Sequence, residues 1–164
     1  RKRGLRDRVK EGGMPLIGVV SNAGVSEIGT VEFQDLDTFR WHYEVNVFGT
    51  YRLTQAALAL LRQSRGRVVL TSSMAGRIPA LPRFAGYVGT KYAMEAFGDA
   101  LRKEMEPRGV SVSLIEHGFL KSALTDKTIQ QEQKTYYSNK KTQFLLNKRG
   151  GSIQSCTMML KNKN

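Results

Sequence analysis

The sequence predicts an α/β fold in which a parallel sheet is flanked by helices, and two observations support this prediction. Short apolar runs that suit buried strands occur at residues 16–20, 68–70 and 110–115. Two long stretches with apolar residues at helical spacing separate these runs. Because strands separated by helices of this length form right-handed parallel crossovers, we expect three strands and two long helices.

The first strand is the apolar run Leu16–Val20, which ends at Ser21–Gly24. A run of this kind suits a buried strand that passes directly into a loop. The first helix is expected from about Thr38 to Gln63, with Asp37 or Thr38 at its N-cap. Its length allows a bend near Gly49.

The second strand, Val68–Leu70, is followed by Thr71-Ser72-Ser73 and a loop over residues 74–86. The second helix should then run to about Glu106, where Pro107 and Gly109 stop it. Its predicted buried face consists of Ala93, Ala96, Phe97, Ala100, Leu101 and Met105. The third strand is Val110–Ile115.

Composition excludes several classes of protein. The chain has 164 residues, 40% of them hydrophobic, and a single cysteine, so neither an internal disulfide nor a cysteine metal cluster can form. Its longest aliphatic run, Ala56–Leu61, is far below the roughly 20 residues of a membrane-spanning helix. We therefore expect no transmembrane helix in this chain, and no metal site.

The net charge of +12 comes from the two ends of the chain. Residues 1–10 carry six basic and one acidic side chain, residues 121–164 carry nine and two, and residues 11–120 carry eleven of each. Since nucleic-acid-binding folds cluster their positive charge on a structured face, we expect no specific nucleic-acid partner. The chain is instead divided into a basic segment (1–13), a globular part (14–125) and a polar, basic, weakly ordered tail (126–164).

Candidate chemical groups follow the predicted strands. In parallel α/β sheets ligands bind beyond the carboxyl ends of the strands, which here selects Asn22–Gly24, Ser73 and His117–Gly118. Tyr87 and Lys91 lie one helical turn apart and project from the same face. A neighbouring ammonium favours the phenolate and should lower the pKa of the tyrosine from about 10. Such a pair can exchange a proton with an alcohol or a carbonyl.

The spacing alone does not single out Tyr87. Tyr136 and Tyr137 also have a lysine four positions later, at Lys140 and Lys141. Tyr87 differs in opening an amphipathic helix that follows a strand ending near Ser73. The alternative, a half-buried tyrosine beside a surface lysine, remains open on physical grounds.

These residues together resemble the ordered motifs of the short-chain dehydrogenase/reductase family. The matching pieces are Asn22-Ala23-Gly24, Asn46, Ser72-Ser73, and Tyr87 with Lys91. From Gly66 to Thr125 the resemblance is closest to the branch of retinol, hydroxysteroid and hydroxybutyrate dehydrogenases, with Ser-Ser-x-x-Gly-Arg, Tyr-x-x-x-Lys-Tyr and Glu-Ala-Phe-x-Asp in order. It covers roughly residues 14–125.

The resemblance implies the catalytic part of a Rossmann-type domain that uses NAD or NADP to interconvert a small-molecule secondary alcohol and ketone, with a retinoid, steroid or hydroxy acid as substrate. Tyr87 would be the general acid or base, Lys91 would tune it and hold the nicotinamide ribose, Ser73 would orient the substrate oxygen, and Asn46 would anchor a water. The residues implied to flank the cofactor are Asn22, Ala23, Gly24, Tyr87, Lys91, Gly118 and Ser122. The family also implies a homo-oligomer in the full-length form and an intracellular location, in the endoplasmic reticulum or mitochondrion.

Three departures accompany the resemblance. Ser21 stands where the family has an asparagine, which predicts a modest loss of loop bonding, and His117 replaces a proline, which should loosen the backbone there. We assign no catalytic role to His117, and we interpret His42 as a surface or packing residue. No G-x-G-x-x-G turn occurs in the chain. We therefore expect a fragment whose first strands lie upstream and whose final strand is missing, and which binds nicotinamide cofactor poorly.

A non-catalytic alternative stays open. A chain without its edge strands would expose apolar surface, and such a module or inactive remnant would pair through its long helices.

Overall fold

The fold is a three-stranded parallel sheet with helices packed on one face, seen in a computed structural model that describes residues 7, 9, 11–118, 120 and 130. Strands β1 (Gly18–Ser21), β2 (Arg67–Thr71) and β3 (Ser111–Ile115) lie in the order β1-β2-β3. Val19 pairs with Val68, which pairs in turn with Val112. The predicted α/β class with a parallel sheet is confirmed.

The predicted first helix is one continuous helical run built from three pieces. Helix α1 (Leu36–Tyr43) continues through a π-helical segment (Glu44–Gly49) into α2 (Thr50–Ser64). The irregularity expected near Gly49 is therefore a wider helical turn centred on Asn46. The N-cap is Asp35, whose side chain accepts from the Asp37 amide, and the prediction of Asp37 or Thr38 as the cap was wrong.

Helix α3 (Ala85–Met105) is the predicted second helix. It ends in a 3-10 turn, Glu106–Arg108, after which Gly109 adopts a φ of 69°. A positive φ of this size favours glycine, and it turns the chain into β3.

The face of α3 that meets the sheet differs from the predicted one. Leu101 and Met105 are buried as expected, but Ala96 and Ala100 are exposed. A Cβ atom at Gly98 would lie 2.6 Å from Cδ1 of Leu114, so the helix approaches the sheet closely at this glycine. The buried stripe therefore follows Gly98, and the alanine stripe faces outward.

The hydrophobic core lies between one face of the sheet and helices α2 and α3. It is formed by buried side chains from all three strands and both helices: Val19, Ala57, Leu61, Val68, Leu70, Met94, Leu101, Met105, Val110 and Val112. This core fixes the ends of the strands relative to the start of α3, where the candidate site lies.

The outer segments lie mostly beyond the described residues. The structure describes only residues 7, 9 and 11–13 of the basic segment, and residue 130 of the predicted tail. Within the described part of the chain, no helix combines the length and apolar character needed to cross a membrane.

Candidate active site

The candidate site lies at the carboxyl edge of the sheet. The strands are parallel, so the segments that follow them meet at this edge. Two backbone hydrogen bonds join the exits of β2 and β3: the Ser72 amide donates to Ile115, at 2.9 Å, and the Met74 amide donates to His117, at 3.0 Å. The predicted gathering of these segments at one edge is therefore present.

Ser73 is held by its own loop and points to the start of α3. It has an extended backbone (φ −165°, ψ 157°) and caps a 3-10 turn, Met74–Gly76, by accepting from the Ala75 amide at 3.2 Å. Its hydroxyl also acts on the Tyr87 phenol, because it lowers the pKa of that phenol against the effect of burial. Ser73 and Tyr87 are 14 positions apart in the sequence. Their hydroxyl groups nevertheless lie in one site.

Lys91 lies beside the same tyrosine. Its ammonium nitrogen is 5.5 Å from the centroid of the Tyr87 ring and donates to the Thr71 carbonyl, at 3.0 Å. The Lys91 residue is only 5% exposed. Tyr87, Ser73 and Lys91 are therefore brought together as predicted.

The electrostatics of the pair differ from the prediction. Burial raises the pKa of Tyr87 above its ordinary value, and the Ser73 hydrogen bond acts in the opposite direction. Burial also lowers the pKa of Lys91 to about 8, against the raising effect of the Glu95 carboxylate. The expected lowering of the Tyr87 pKa by Lys91 was wrong for this structure, because burial of the phenol has the largest effect on its pKa and raises it.

Asn46 sits in the π-helical segment and uses its amide to hold other elements. Nδ2 donates to the Val25 carbonyl (2.9 Å) and to Oγ1 of Thr90 (3.0 Å), while Oδ1 accepts from the Val25 amide (2.8 Å). Thr90 Oγ1 donates to the Tyr87 carbonyl, at 2.6 Å. Asn46 is therefore tied to the backbone of Tyr87 through one hydroxyl, and its predicted role in anchoring a water stays a prediction.

The segment after β1 approaches the same edge. Asn22 and Ala23 are exposed, and a Cβ atom on Gly24 would lie 3.7 Å from Oδ1 of Asn46. Ser21 is buried and shares a 2.7 Å hydrogen bond with Oγ1 of Thr50. The serine in place of an asparagine thus has a partner of its own on α2.

The segment after β3 contributes Gly118. A Cβ atom there would lie 3.7 Å from Sδ of Met74, which places Gly118 beside the Ser73 loop. His117 is partly exposed, and its Nδ1 lies 2.8 Å from the Gly118 carbonyl oxygen. Ser122 lies outside the described residues.

His42 is a packing residue, which was one of the two alternatives predicted from the sequence. It is fully buried, and its Nε2 accepts from the Glu27 amide, at 2.7 Å. Burial lowers its pKa, partly opposed by Glu27. Within the described residues, no group of three His, Cys, Asp or Glu side chains could hold a metal ion.

Sequence reasoning missed several groups that support the site. Thr90 and the Thr71 carbonyl position Tyr87 and Lys91, and Arg77 forms ion pairs with Glu95 and Glu116. Glu95 lies one turn after Lys91, as Lys91 lies one turn after Tyr87, and this repeat was a usable signal. No pattern in the sequence indicated that Arg77 forms ion pairs with Glu95 and Glu116.

Comparisons with known proteins agree on one family. The sequence model for the short chain dehydrogenase matches residues 3–133. The chain is 46% identical over 114 residues to mitochondrial D-beta-hydroxybutyrate dehydrogenase of Mus musculus, covering 70% of this chain and 33% of the relative. It is 43% identical over 123 residues to retinol dehydrogenase 5 of Mus musculus, covering 74% of this chain and 37% of the relative. The chain thus spans about a third of the length of these curated relatives.

Solved structures give the same result. A 3-oxoacyl-[acyl-carrier protein] reductase from Brucella melitensis with bound NAD is 27% identical, with a TM-score of 0.64 over 77% of this chain and 50% of that one. Solved structures of this fold carry NAD in some cases and NADP in others.

Proposed function

The chain belongs to the short-chain dehydrogenase family, and from this premise we propose that it forms the catalytic part of an oxidoreductase acting on a secondary alcohol or ketone. The observation that carries the proposal is the buried Lys91 ammonium 5.5 Å from the Tyr87 ring, with a Ser73 hydroxyl close enough to lower the pKa of the same phenol. Physical reasoning left a half-buried tyrosine beside a surface lysine as the alternative, and the burial of Lys91 argues against it.

In this proposal Tyr87 moves the proton. Its hydroxyl protonates the oxygen of a ketone and becomes a phenolate, and in the reverse direction the phenolate accepts the proton of the alcohol. Burial disfavours the phenolate, so the resting tyrosine is protonated, in the form suited to the reduction direction. Ser73 donates to the same substrate oxygen and orients it.

Lys91 would serve both the proton and the coenzyme. Its ammonium has three protons, and one hydrogen bond to the Thr71 carbonyl is recorded among the described residues. The remaining protons fit the ribose hydroxyls of a nicotinamide nucleotide, so the residues present suit that end of NAD or NADP. When bound, such a coenzyme supplies or accepts the hydride.

The other proposed coenzyme contacts lie on the two adjacent loops. Asn22–Gly24 and Gly118 bring small residues and backbone to the edge beside Ser73, where a planar ring can approach closely. We assign Ser122 to the same group by family resemblance alone. Asn46 keeps its proposed role as the anchor of a water that carries protons from Lys91.

The substrate class and partners follow from the relatives. The similarity to a D-beta-hydroxybutyrate dehydrogenase and a retinol dehydrogenase supports a small hydroxy acid or an apolar alcohol such as a retinoid or steroid. The mitochondrial relative supports a mitochondrial location, with the endoplasmic reticulum as the other choice. The comparisons do not favour the non-catalytic module.

We also propose a homo-oligomer that pairs through the long helices. Trp41, Phe48, Tyr51 and Tyr92 are each 43–50% exposed on or beside these helices. Large apolar side chains exposed on these helices support a surface for a partner. Light scattering that finds only a monomer would contradict the pairing and leave the catalytic proposal intact.

The experiment that tests the function compares two variants in which a tyrosine is replaced by phenylalanine. Tyr87→Phe removes the proposed acid and should lower turnover of hydroxybutyrate or retinol at saturating NAD or NADP by at least about 100-fold. Tyr51→Phe is the control, because it removes the hydroxyl of a tyrosine that is 49% exposed on α2 and keeps its aromatic ring. Equal turnover in the two variants would contradict the role of Tyr87.

A further inference from the structure

One cationic side chain lies between two carboxylates from different elements. Nη2 of Arg77 is 2.7 Å from Oε1 of Glu116 and 3.2 Å from Oε2 of Glu95. Arg77 follows the 3-10 turn that Ser73 caps, Glu95 belongs to α3, and Glu116 follows β3. The guanidinium therefore connects the three elements that form the candidate site.

The Glu95 end of this cluster is buried, unlike the exposed ion pairs of Arg40, Arg52 and Arg102. The Glu95 side chain is 10% exposed, and both of its oxygens are buried without a hydrogen-bond partner among the described residues. A buried carboxylate is unfavourable unless a counter-charge lies close to it. Arg77 supplies that charge, which distinguishes this pair from the solvent-exposed pair of Arg40 with Asp37.

The loop between Ser73 and Arg77 packs directly on the helix at this point. A Cβ atom on Gly76 would lie 2.9 Å from Cγ of Glu95 and 2.9 Å from the Lys91 carbonyl oxygen. Only a glycine allows this approach without a shift of the backbone. Arg77 therefore forms an ion pair with a carboxylate that packs directly against the loop carrying Arg77.

Glu95 also lies in line with the two helical residues of the site. Tyr87, Lys91 and Glu95 succeed one another at intervals of four along α3, so they share one face of the helix. The charge of Glu95 acts on the Lys91 ammonium, where it opposes the effect of burial on the pKa.

We propose that Arg77 is a positioning residue: by joining Glu95 to Glu116, it fixes the loop that carries Ser73 against the helix that carries Tyr87 and Lys91. The assignment of these three residues to catalysis rests on the proposed function. The fixing of the loop does not, because it follows from the ion pairs and the packing of Gly76 alone.

The first test measures the loop without using activity. Arg77→Met keeps the length of the side chain and removes its charge. We expect hydrogen exchange of the amides in residues 72–78 to accelerate about tenfold in the full chain, followed by mass spectrometry. Arg40→Met, which breaks an exposed pair within α1, is the control and should leave exchange in residues 72–78 unchanged.

A second variant separates positioning from stability. Arg77→Met leaves the Glu95 carboxylate buried and unpaired, which could unfold the chain. In the double variant Arg77→Met with Glu95→Gln, the buried carboxylate that would lose its counter-charge is itself removed. We expect this chain to regain stability to urea while its loop still exchanges faster than the wild-type loop.

The kinetic readout completes the test. We expect both variants to lower kcat by about 10–100-fold with little change in KM, because a small misplacement of Ser73 affects the reacting geometry more than binding. Arg77→Lys should restore part of kcat, since it returns the charge without the planar guanidinium. Arg40→Met should keep wild-type kinetics.

The outcomes distinguish the two proposals. Unchanged exchange over residues 72–78 in both variants, or full recovery of loop exchange and kcat in the double variant, would overturn the role of Arg77. Faster exchange in a chain that shows no turnover with Tyr87 intact would support the positioning of the loop and contradict the proposed function.

Discussion

The two faces of the sheet differ sharply in how they are covered. On one face Val19, Val68 and Val112 are at most 9% exposed and pack against α2 and α3. On the other face Val20 is 62% exposed and Ile115 is 48% exposed. Val20 lies in register with Val69, which pairs with Ser113, so this second face runs across all three strands.

The difference shows where the candidate site gets its rigidity. Tyr87 and Lys91 are on α3, and Asn46 is in the helical run that leads into α2, so these positions depend on the covered face. None of the described helices packs on the other face. We therefore expect the covered face to determine both stability and site geometry, and the exposed face to contribute little to either.

The largest expected effect is a difference in the free energy of unfolding between variants on the two faces. Leu61→Ala removes a fully buried side chain from the covered face and should lower the free energy of unfolding by about 2–5 kcal/mol. Val20→Ala on the exposed face should change it by less than about 0.5 kcal/mol. Urea denaturation of both variants measures the contrast, and equal losses would show that the second face is covered in solution.

A smaller effect concerns pH and the buried imidazole on the helical side. Burial lowers the pKa of His42 in the folded chain, so the unfolded chain takes up its proton first as the pH falls. The stability that neutral His42 provides is complete above its unfolded pKa of about 6.5 and declines as the pH falls below that value. This loss of stability at low pH distinguishes the two faces of the sheet, because His42 lies on the covered side.

The matched variants for this prediction are His42→Gln and His117→Gln. We expect His42→Gln to flatten the change in melting temperature between pH 7 and pH 5, whereas His117→Gln, at a partly exposed loop position, keeps the wild-type change. An unaltered pH dependence in His42→Gln would mean that the imidazole already titrates freely in the folded chain.

Most of the fold could be predicted from the sequence, because strands and helices depend on local patterns. The runs at Val68–Leu70 and Val110–Ile115 and the stop at Pro107 all lie where expected. The buried face of α3 could not be predicted, because it depends on the close approach of Gly98 to Leu114. Alanine is found on both buried and exposed faces of helices, so Ala96 and Ala100 did not indicate which face of α3 is buried.

The candidate site shows the same division. Ser73, Tyr87 and Lys91 were predicted from strand ends and helical spacing, and the structure brings them together. The pKa directions of Tyr87 and Lys91 were not predictable, because burial is a tertiary property and here it has the largest effect on the pKa of both groups. The hydrogen bonds of Thr90 and the ion pairs of Arg77 join elements that are far apart in the sequence. No local sequence pattern indicates these contacts.

The most direct measurement of the central claim is a titration of Tyr87 by NMR in a chain with carbon-13 at the tyrosine Cζ positions, assigned with Tyr87→Phe. We expect a pKa for Tyr87 above the ordinary value of about 10, and a further increase in Ser73→Ala, because the serine hydroxyl stabilises the phenolate. A Tyr87 pKa at or below that ordinary value, or one that Ser73→Ala leaves unchanged, would contradict a buried phenol whose pKa is influenced by Ser73.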